Sequence, residues 1–269
     1  VSLATSLTAA DSPSTLLVGE EMAWLDEDAD KDEGPQAGDW DLQLKIGIEY
    51  EPEYIGSDNY DVGPEWEITV LYWFTDYLVG VLNNSSAGVG YRVLPMLLIG
   101  AGIAYEDGRD EKDSEYLRGL GDIGRSFHAT ATARALLGPL VAYGVGYQDI
   151  SGQDLGARAE FGIEFEVEPI DDIFSIAIAT ELRFADSTAM QTVFGINDQQ
   201  AAGSGYNTYS PSGGFYQVGV GIEASYYFTE HWSIEFGTDY NYLMGDAASS
   251  PIVRQKGAFS AEFGIGYTF

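Results

Sequence analysis

The most constraining feature of this chain is a two-residue period held over segments much longer than a soluble strand needs. Trp40, Leu42, Leu44, Ile46, Ile48 and Tyr50 alternate with Asp41, Gln43, Lys45, Gly47 and Glu49. The same pattern returns over 155–167, where Phe161, Ile163, Phe165 and Val167 interleave with Arg158, Glu160, Glu164 and Glu166. It returns again over 216–228 and 259–269. Successive side chains of a strand point to opposite faces, so each segment is an apolar face backed by a polar one. Soluble strands usually run about 5–6 residues, whereas a tilted strand crossing a bilayer needs roughly 9–11. No uncharged apolar run reaches the roughly 18–20 residues of a membrane helix. Lipid outside a closed sheet, with a polar lumen within, satisfies both faces at once.

Twelve strands are expected, near 40–50, 64–73, 77–82, 86–93, 96–105, 126–137, 139–149, 154–168, 172–184, 215–229, 231–243 and 256–269. The connections support this count. Every second one is a short turn, among them Phe74-Thr75-Asp76, Leu94-Pro95 and Gly138, while 51–63, 106–125, 185–214 and 244–255 are long. Short periplasmic turns and long outward loops are the habit of outer-membrane barrels, with both chain ends in the periplasm. Asn83–Ser85 and Ile150–Gln153 are short where long loops are expected, so the alternation is imperfect.

Aromatic rings are expected to gather at the two bilayer interfaces, where an apolar body and a polar tip both find partners. Trp40, Tyr72, Trp73, Phe74, Tyr77, Tyr226, Tyr227, Phe228, Trp232, Tyr267 and Phe269 fall at one set of strand ends. Tyr50, Trp66, Tyr105, Phe127, Phe184, Phe215, Tyr240 and Tyr242 fall at the other. The fold class read from these signals is all-β, a transmembrane antiparallel up-and-down barrel occupying residues 40–269. Residues 1–39 read differently. They carry an acidic run from Glu20 to Glu33 opposed only by Lys31, which reads as a solvated periplasmic tail. With no initiator Met and no basic leader at its start, the chain reads as a mature form after signal-peptide removal.

Composition removes several functions. The net charge of −31 repels a nucleic-acid backbone. Cysteine is absent, so thiolate catalysis, disulfides and thiolate metal sites are excluded. Two histidines, His128 and His231, cannot by themselves build a zinc site. The acidic stretch Asp107–Glu115 lacks the spacing of a calcium loop and reads as solvated loop charge. Ser126 stands two residues from His128, but no hydrolase motif surrounds the pair. No enzyme activity, metal or cofactor is expected.

Several elements resemble one family, the MltA-interacting MipA/OmpV proteins. Glu51-Pro52-Glu53-Tyr54-Ile55-Gly56-Ser57-Asp58 is similar to that family's element after the first strand. Asp107-Gly108-Arg109, followed by Ser114, Leu117, Gly119 and Leu120, resembles a second loop. Val193-Phe194-Gly195-Ile196 with Gln200-Ala201, Ser204-Gly205 and Tyr209 resembles a third. Leu243-Met244-Gly245-Asp246-Ala247-Ala248-Ser249-Ser250-Pro251-Ile252-Val253 is the closest match. The closing alternation Phe263-Gly264-Ile265-Gly266-Tyr267-Thr268-Phe269 resembles the signal read by the barrel-assembly machinery, with Tyr267 and Phe269 carrying it. The resemblance implies a non-enzymatic protein of the Gram-negative outer membrane, in contact with lipid and lipopolysaccharide. It also implies a scaffold role toward a murein transglycosylase and a murein synthase.

The lumen offers an alternative. Lys45, Glu49, Arg134, Arg158, Glu160, Glu164, Glu166, Arg183, Glu223 and Glu262 share the polar face. They read either as ion pairs filling a narrow barrel or as the wall of a small cation-preferring channel. Twelve strands make a bore well below that of a 16-stranded porin, which favours the ion-pair network.

Overall fold

The computed structural model describes residues 35–170 and 173–269. Twelve antiparallel strands close into one barrel in sequential order. They are β1 (Trp40–Pro52), β2 (Tyr60–Thr75), β3 (Leu78–Leu82), β4 (Ser86–Leu94), β5 (Leu97–Glu106), β6 (Ser126–Leu137), β7 (Leu140–Asp149), β8 (Ala157–Ile170), β9 (Phe174–Ala185), β10 (Gly214–Tyr227), β11 (Trp232–Leu243) and β12 (Gly257–Thr268). The seam joins β1 to β12 over Gln43↔Thr268 through Tyr50↔Ala261. Of the tail expected over 1–39, residues 1–34 lie outside the described residues.

The faces are sorted as the two-residue period requires. Along β1, Ile46 and Ile48 are 67% and 56% exposed, while Lys45 between the strands' inner faces is largely enclosed. Phe161 and Ile163 on β8, Val220 and Ile222 on β10, and Phe263 and Ile265 on β12 are likewise exposed. A continuous apolar band of this kind is too large for water to tolerate and is what lipid covers. Among the aromatics expected at the interfaces, Trp40, Tyr72, Phe74, Tyr77, Tyr226, Phe228, Trp232 and Phe269 are exposed at the end carrying the short turns. Tyr50, Trp66, Phe127, Phe215, Tyr240 and Tyr242 are exposed at the end carrying the long loops.

Tyr105, Phe184, Tyr227 and Tyr267, expected there too, are half-buried, and Trp73 and Tyr216 are buried outright. Trp73 is 6% exposed and packs inside the barrel with Leu71, Val79, Val81 and Leu98. It follows Tyr72 in the alternation, so parity alone sends it inward. Tyr216 is also buried, although it begins the apolar face read along 216–228. The register shifts between Phe215 and Gln217, and this bulge turns Tyr216 away from lipid.

The turns follow local chemistry. Between β6 and β7, Leu137 pairs with Leu140 and leaves Gly138-Pro139 as a two-residue turn. Gly138 takes φ +65°, which a tight hairpin asks of its first central residue. The long connection 185–214, expected as a loop, contains two short helices, α1 (Ser187–Phe194) and α2 (Asp198–Ser204). Asp186 caps α1 by accepting from the Ala189 amide at 2.8 Å. Asn197 and Gln200 form a reciprocal capping box on α2, and Gly205 ends it in the left-handed region.

Candidate functional site

At the loop end, the segments that carry the family-like motifs fold against one another into a cap with its own core. Tyr54, Leu117, Leu120, Ile196 and Ile252 bury one cluster, joined by Tyr116, Ala201, Tyr206 and Tyr209. Ala189, Met190, Phe194, Tyr216 and Leu243 bury a second, which connects α1 to the barrel rim. Apolar burial brings the four loops together, and buried polar groups then fix their register.

The motif residues supply those polar groups. The Tyr54 hydroxyl donates to the Ile252 carbonyl at 2.9 Å, and the Ser250 hydroxyl donates to the Phe194 carbonyl at 2.6 Å. Arg109 is buried and donates through Nη1 to the Val193 carbonyl at 3.1 Å. Burial pushes its guanidinium down to about 10, with Tyr54 and Asp113 opposing the shift; it stays charged at neutral pH. The Gly56 carbonyl accepts from the Arg254 and Gln255 amides, next to Ser57, which is fully buried. The Asp246 carbonyl accepts from the Tyr209 hydroxyl at 2.6 Å, and its carboxylate accepts from the Ser212 amide at 2.8 Å. Gly119 lies so close to Gly203 that a Cβ there would collide with backbone. Pro52 ends β1, Gly108 precedes the Arg109↔Ile123 bridge, Gly195 closes α1, and Gly245 and Pro251 bracket the turn that holds Ala247 and Ser250. The resemblance pointed to these positions, and their shared work is to hold the cap together.

Beneath the cap, the lumen divides into two regions. In the first, between β5 and β9, cations and carboxylates are matched. Arg158 pairs with Glu106, and Arg183 pairs with Glu181 and, at 3.6 Å, with Glu160. Tyr147 and Tyr143 donate their hydroxyls to Glu160 and Glu181, both at 3.2 Å. Arg134, 2% exposed, stacks on the Tyr143 ring at 5.5 Å, and Arg158 on Tyr147 at 5.6 Å. The two rings and both arginines therefore hold one another in place.

His128 sits in this region, 1% exposed. Its Nε2 meets the Ser126 hydroxyl at 3.0 Å and Glu106 at 3.4 Å. Its Nδ1 has no hydrogen-bond partner among the described residues. A serine-hydrolase relay puts the serine on one ring nitrogen and the carboxylate on the other. Here both approach the same nitrogen, and Ser126 is itself buried.

The second region is a cavity of about 620 Å³ in the wide part of the barrel. Ten carboxylates line it: Glu49, Glu51, Glu65, Glu67, Asp107, Glu164, Glu181, Glu223, Asp239 and Glu262. The lining cations are Lys45, Arg125 and Arg183. Arg183 is engaged with Glu181 and Glu160, and Arg125 with Asp107 at 3.2 Å. Lys45 bridges Glu262 at 2.9 Å and Glu65 at 3.4 Å. Toward the turn end a smaller cavity of about 170 Å³ is lined by Glu67, Glu166, Glu223 and Glu235; it shares Lys45, Glu67, Ala177, Glu223 and Glu262 with the first.

The lumen residues expected from sequence thus separate. Arg158, Glu160 and Arg183 meet beneath the cap, with Arg134 beside them, whereas Lys45, Glu49, Glu164, Glu223 and Glu262 line the cavity and Glu166 the smaller one. Sequence reasoning missed Glu106, Glu65 and Glu67. Glu65 and Glu67 were legible by parity with Leu71 and Trp73 on β2. Glu106 was hidden because β5 runs one residue beyond its expected end. No group of three or more His, Asp or Glu side chains among the described residues is placed to hold a metal ion.

The profile of a family described as MltA-interacting protein MipA matches residues 44–269. The chain belongs to that family. Membership and the lipid-facing band together assign it to the outer membrane of a Gram-negative bacterium. No curated protein matches the sequence. Among solved structures, the chain is similar to an outer membrane channel from Pseudomonas putida F1 at 13% identity. That alignment covers 91% of this chain and 100% of that one, with a TM-score of 0.49. The NanC porin aligns at 15% identity over 83% of this chain and 98% of that one, TM-score 0.45. A Pseudomonas aeruginosa FadL homologue aligns at 9% identity over 86% and 89%, TM-score 0.42. Likeness at this level carries no solute or activity across.

Proposed function

We propose that this MipA-family barrel is a non-enzymatic scaffold that holds murein-processing proteins at the outer membrane. The family description, MltA-interacting protein, is the observation that carries the reading, MltA being a murein transglycosylase. The interior agrees with a scaffold better than with a wide pore. Leu71, Trp73, Val79, Val81 and Leu98 fill one side of the turn end, and the packed loops cover much of the other end. In this reading the loop end faces outward in lipopolysaccharide, the turns and both chain ends face the periplasm, and the barrel-assembly machinery inserts the chain. The test is cross-linking in intact envelopes followed by capture of the full-length chain. Recovery of a murein transglycosylase or synthase above a control barrel supports the scaffold, and recovery of neither rejects it. Cysteine at Ser187 or Ser249, both exposed in the loops, is expected to react with an impermeant maleimide added to intact cells.

A second reading has its own observation. The two lumen cavities share walls at Lys45, Glu67, Ala177, Glu223 and Glu262, so an acidic path runs most of the barrel's length. A narrow, cation-accepting lumen follows from that continuity. K⁺-over-Cl⁻ current through the purified protein in a planar bilayer supports it, and a silent or unselective bilayer rejects it.

A further inference from the structure

The central cavity owes its size to small residues at inward positions. Ala177 and Ala179 on β9, Gly219 and Gly221 on β10 and Gly237 on β11 stand where bulkier side chains would fill a narrow barrel. At Gly221 the backbone does not demand glycine. A Cβ there would meet only the Thr238 carbonyl oxygen at 3.7 Å and Asp239 Cβ at 3.8 Å, which is ordinary contact.

Carboxylates point into the space so made. Glu164 is 6% exposed and lines the cavity, and no hydrogen bond or ion pair to its carboxylate is found among the described residues; the Arg134 charge acts on it. A buried carboxylate without a partner is costly to keep, and a fold retains one where something else satisfies it. Glu223 differs in being exposed to the lumen; it has no ion pair among the described residues and stands in the field of Glu262 and Glu164. Lys45 is already divided between Glu65 and Glu262. The surplus of negative charge is therefore aimed at a cavity within the usual range of ligand sites, roughly 300–1,000 Å³.

The spacing of the carboxylates selects the class of guest. They do not converge three at a time, so a bare metal ion finds no cage. Separate anions around one void suit a molecule with separate cations, joined by short apolar links that lie against glycine and alanine. We propose that the lumen binds a linear oligoamine, an organic cation with two or more ammonium groups, between Glu164 on β8 and Glu223, Asp239 and Glu262 on β10 to β12. Glu164 is the anchor, because it gains a partner only when the guest is present. This site rests on the cation-accepting reading of the lumen and names its ligand class.

The test is calorimetric titration of the full-length barrel in detergent with spermidine, with KCl and MgCl₂ titrated at equal ionic strength. Saturable heat is expected from spermidine alone. The Glu164→Gln/Glu223→Gln double variant should weaken it about tenfold or more. Gly221→Leu, which fills the void and keeps every carboxylate, should weaken it similarly and serves if the double variant folds poorly. Glu230→Gln at the turn end should leave it unchanged. Absence of saturable binding, equal binding in Gly221→Leu, or equal heats from Mg²⁺ overturns the proposal. Bilayer recordings on the same preparations separate it from the reading beneath it. K⁺-selective current without spermidine binding removes the oligoamine site alone, and loss of both removes the two together.

Discussion

The two regions of the lumen use the same residue types to opposite ends. Beneath the cap, Glu106, Glu160 and Glu181 each meet an arginine, and Tyr143 and Tyr147 fill the space between them. In the central cavity, Glu164 and Glu223 face open space, and glycine and alanine stand where tyrosines stood. A charge in a barrel is structural where bulky neighbours close around its partner and available where small neighbours leave it room. The residue lining the opposite wall decides the role, more than the carboxylate itself.

The largest effect expected of this contrast is on the matched side. Arg183→Met should leave Glu160 and Glu181 buried without their cation, at a cost of about 3–5 kcal/mol. Heat-modifiable mobility or a thermal melt in detergent reads it; a loss below about 1 kcal/mol would put the matched region on the same footing as the cavity.

The cap should come next, and locally. Leu117→Ala empties a fully buried position between loops, at about 2–5 kcal/mol, and none of its neighbours in that cluster lies in the barrel wall. Protease nicking within 107–125 should rise while the melting of the barrel stays put. A matched drop in barrel melting would show that cap and wall unfold as one unit.

On the unmatched side, Glu164→Gln should leave stability within about 1 kcal/mol or raise it, because it removes a buried charge that has no ion pair among the described residues. A loss comparable with that of Arg183→Met would show that Glu164 is held by Arg134 and would erase the distinction.

The smallest effect concerns pH. Burial raises the Tyr54 phenol above its ordinary value, aided by Tyr206 and Asp58. The folded cap therefore prefers the neutral phenol. Its contribution is complete below the unfolded tyrosine's pKa of about 10 and is lost as pH climbs toward the higher folded value. Loop proteolysis should increase above about pH 10 in the parent, and Tyr54→Phe should flatten that rise while losing about 1 kcal/mol of cap stability at neutral pH.

The strands were legible in the sequence because lipid enforces parity over a long distance: every second residue of β1, β8 and β12 must be apolar. That signal fails where one residue is inserted, as at the bulge that turns Tyr216 inward, since parity before and after it disagree. The helices α1 and α2 were missed for a different reason. They span eight and seven residues, too short for a helical period to show. Their capping signals were present in Asp186 and in Asn197 with Gln200, but a 185–214 linker between strands reads first as loop. The lumen charges were legible one by one, yet their division was not. It depends on which strands stand across the bore, and parity along a strand says nothing of that.

The seam between β1 and β12 has a consequence for how the barrel completes itself. The two strands lie at opposite ends of the barrel's chain, so the circle closes only after all the intervening hairpins exist. The Lys45–Glu262 bridge spans that joint. A slip of one residue would set the inward face of one edge against the lipid face of the other, and a slip of two would shift Lys45, now opposite Gly266, by roughly 6.6–6.8 Å along the seam. The Lys45–Glu262 pair thus ties the first strand to the last, adding a bond between charges to an alignment that side-chain parity already restricts.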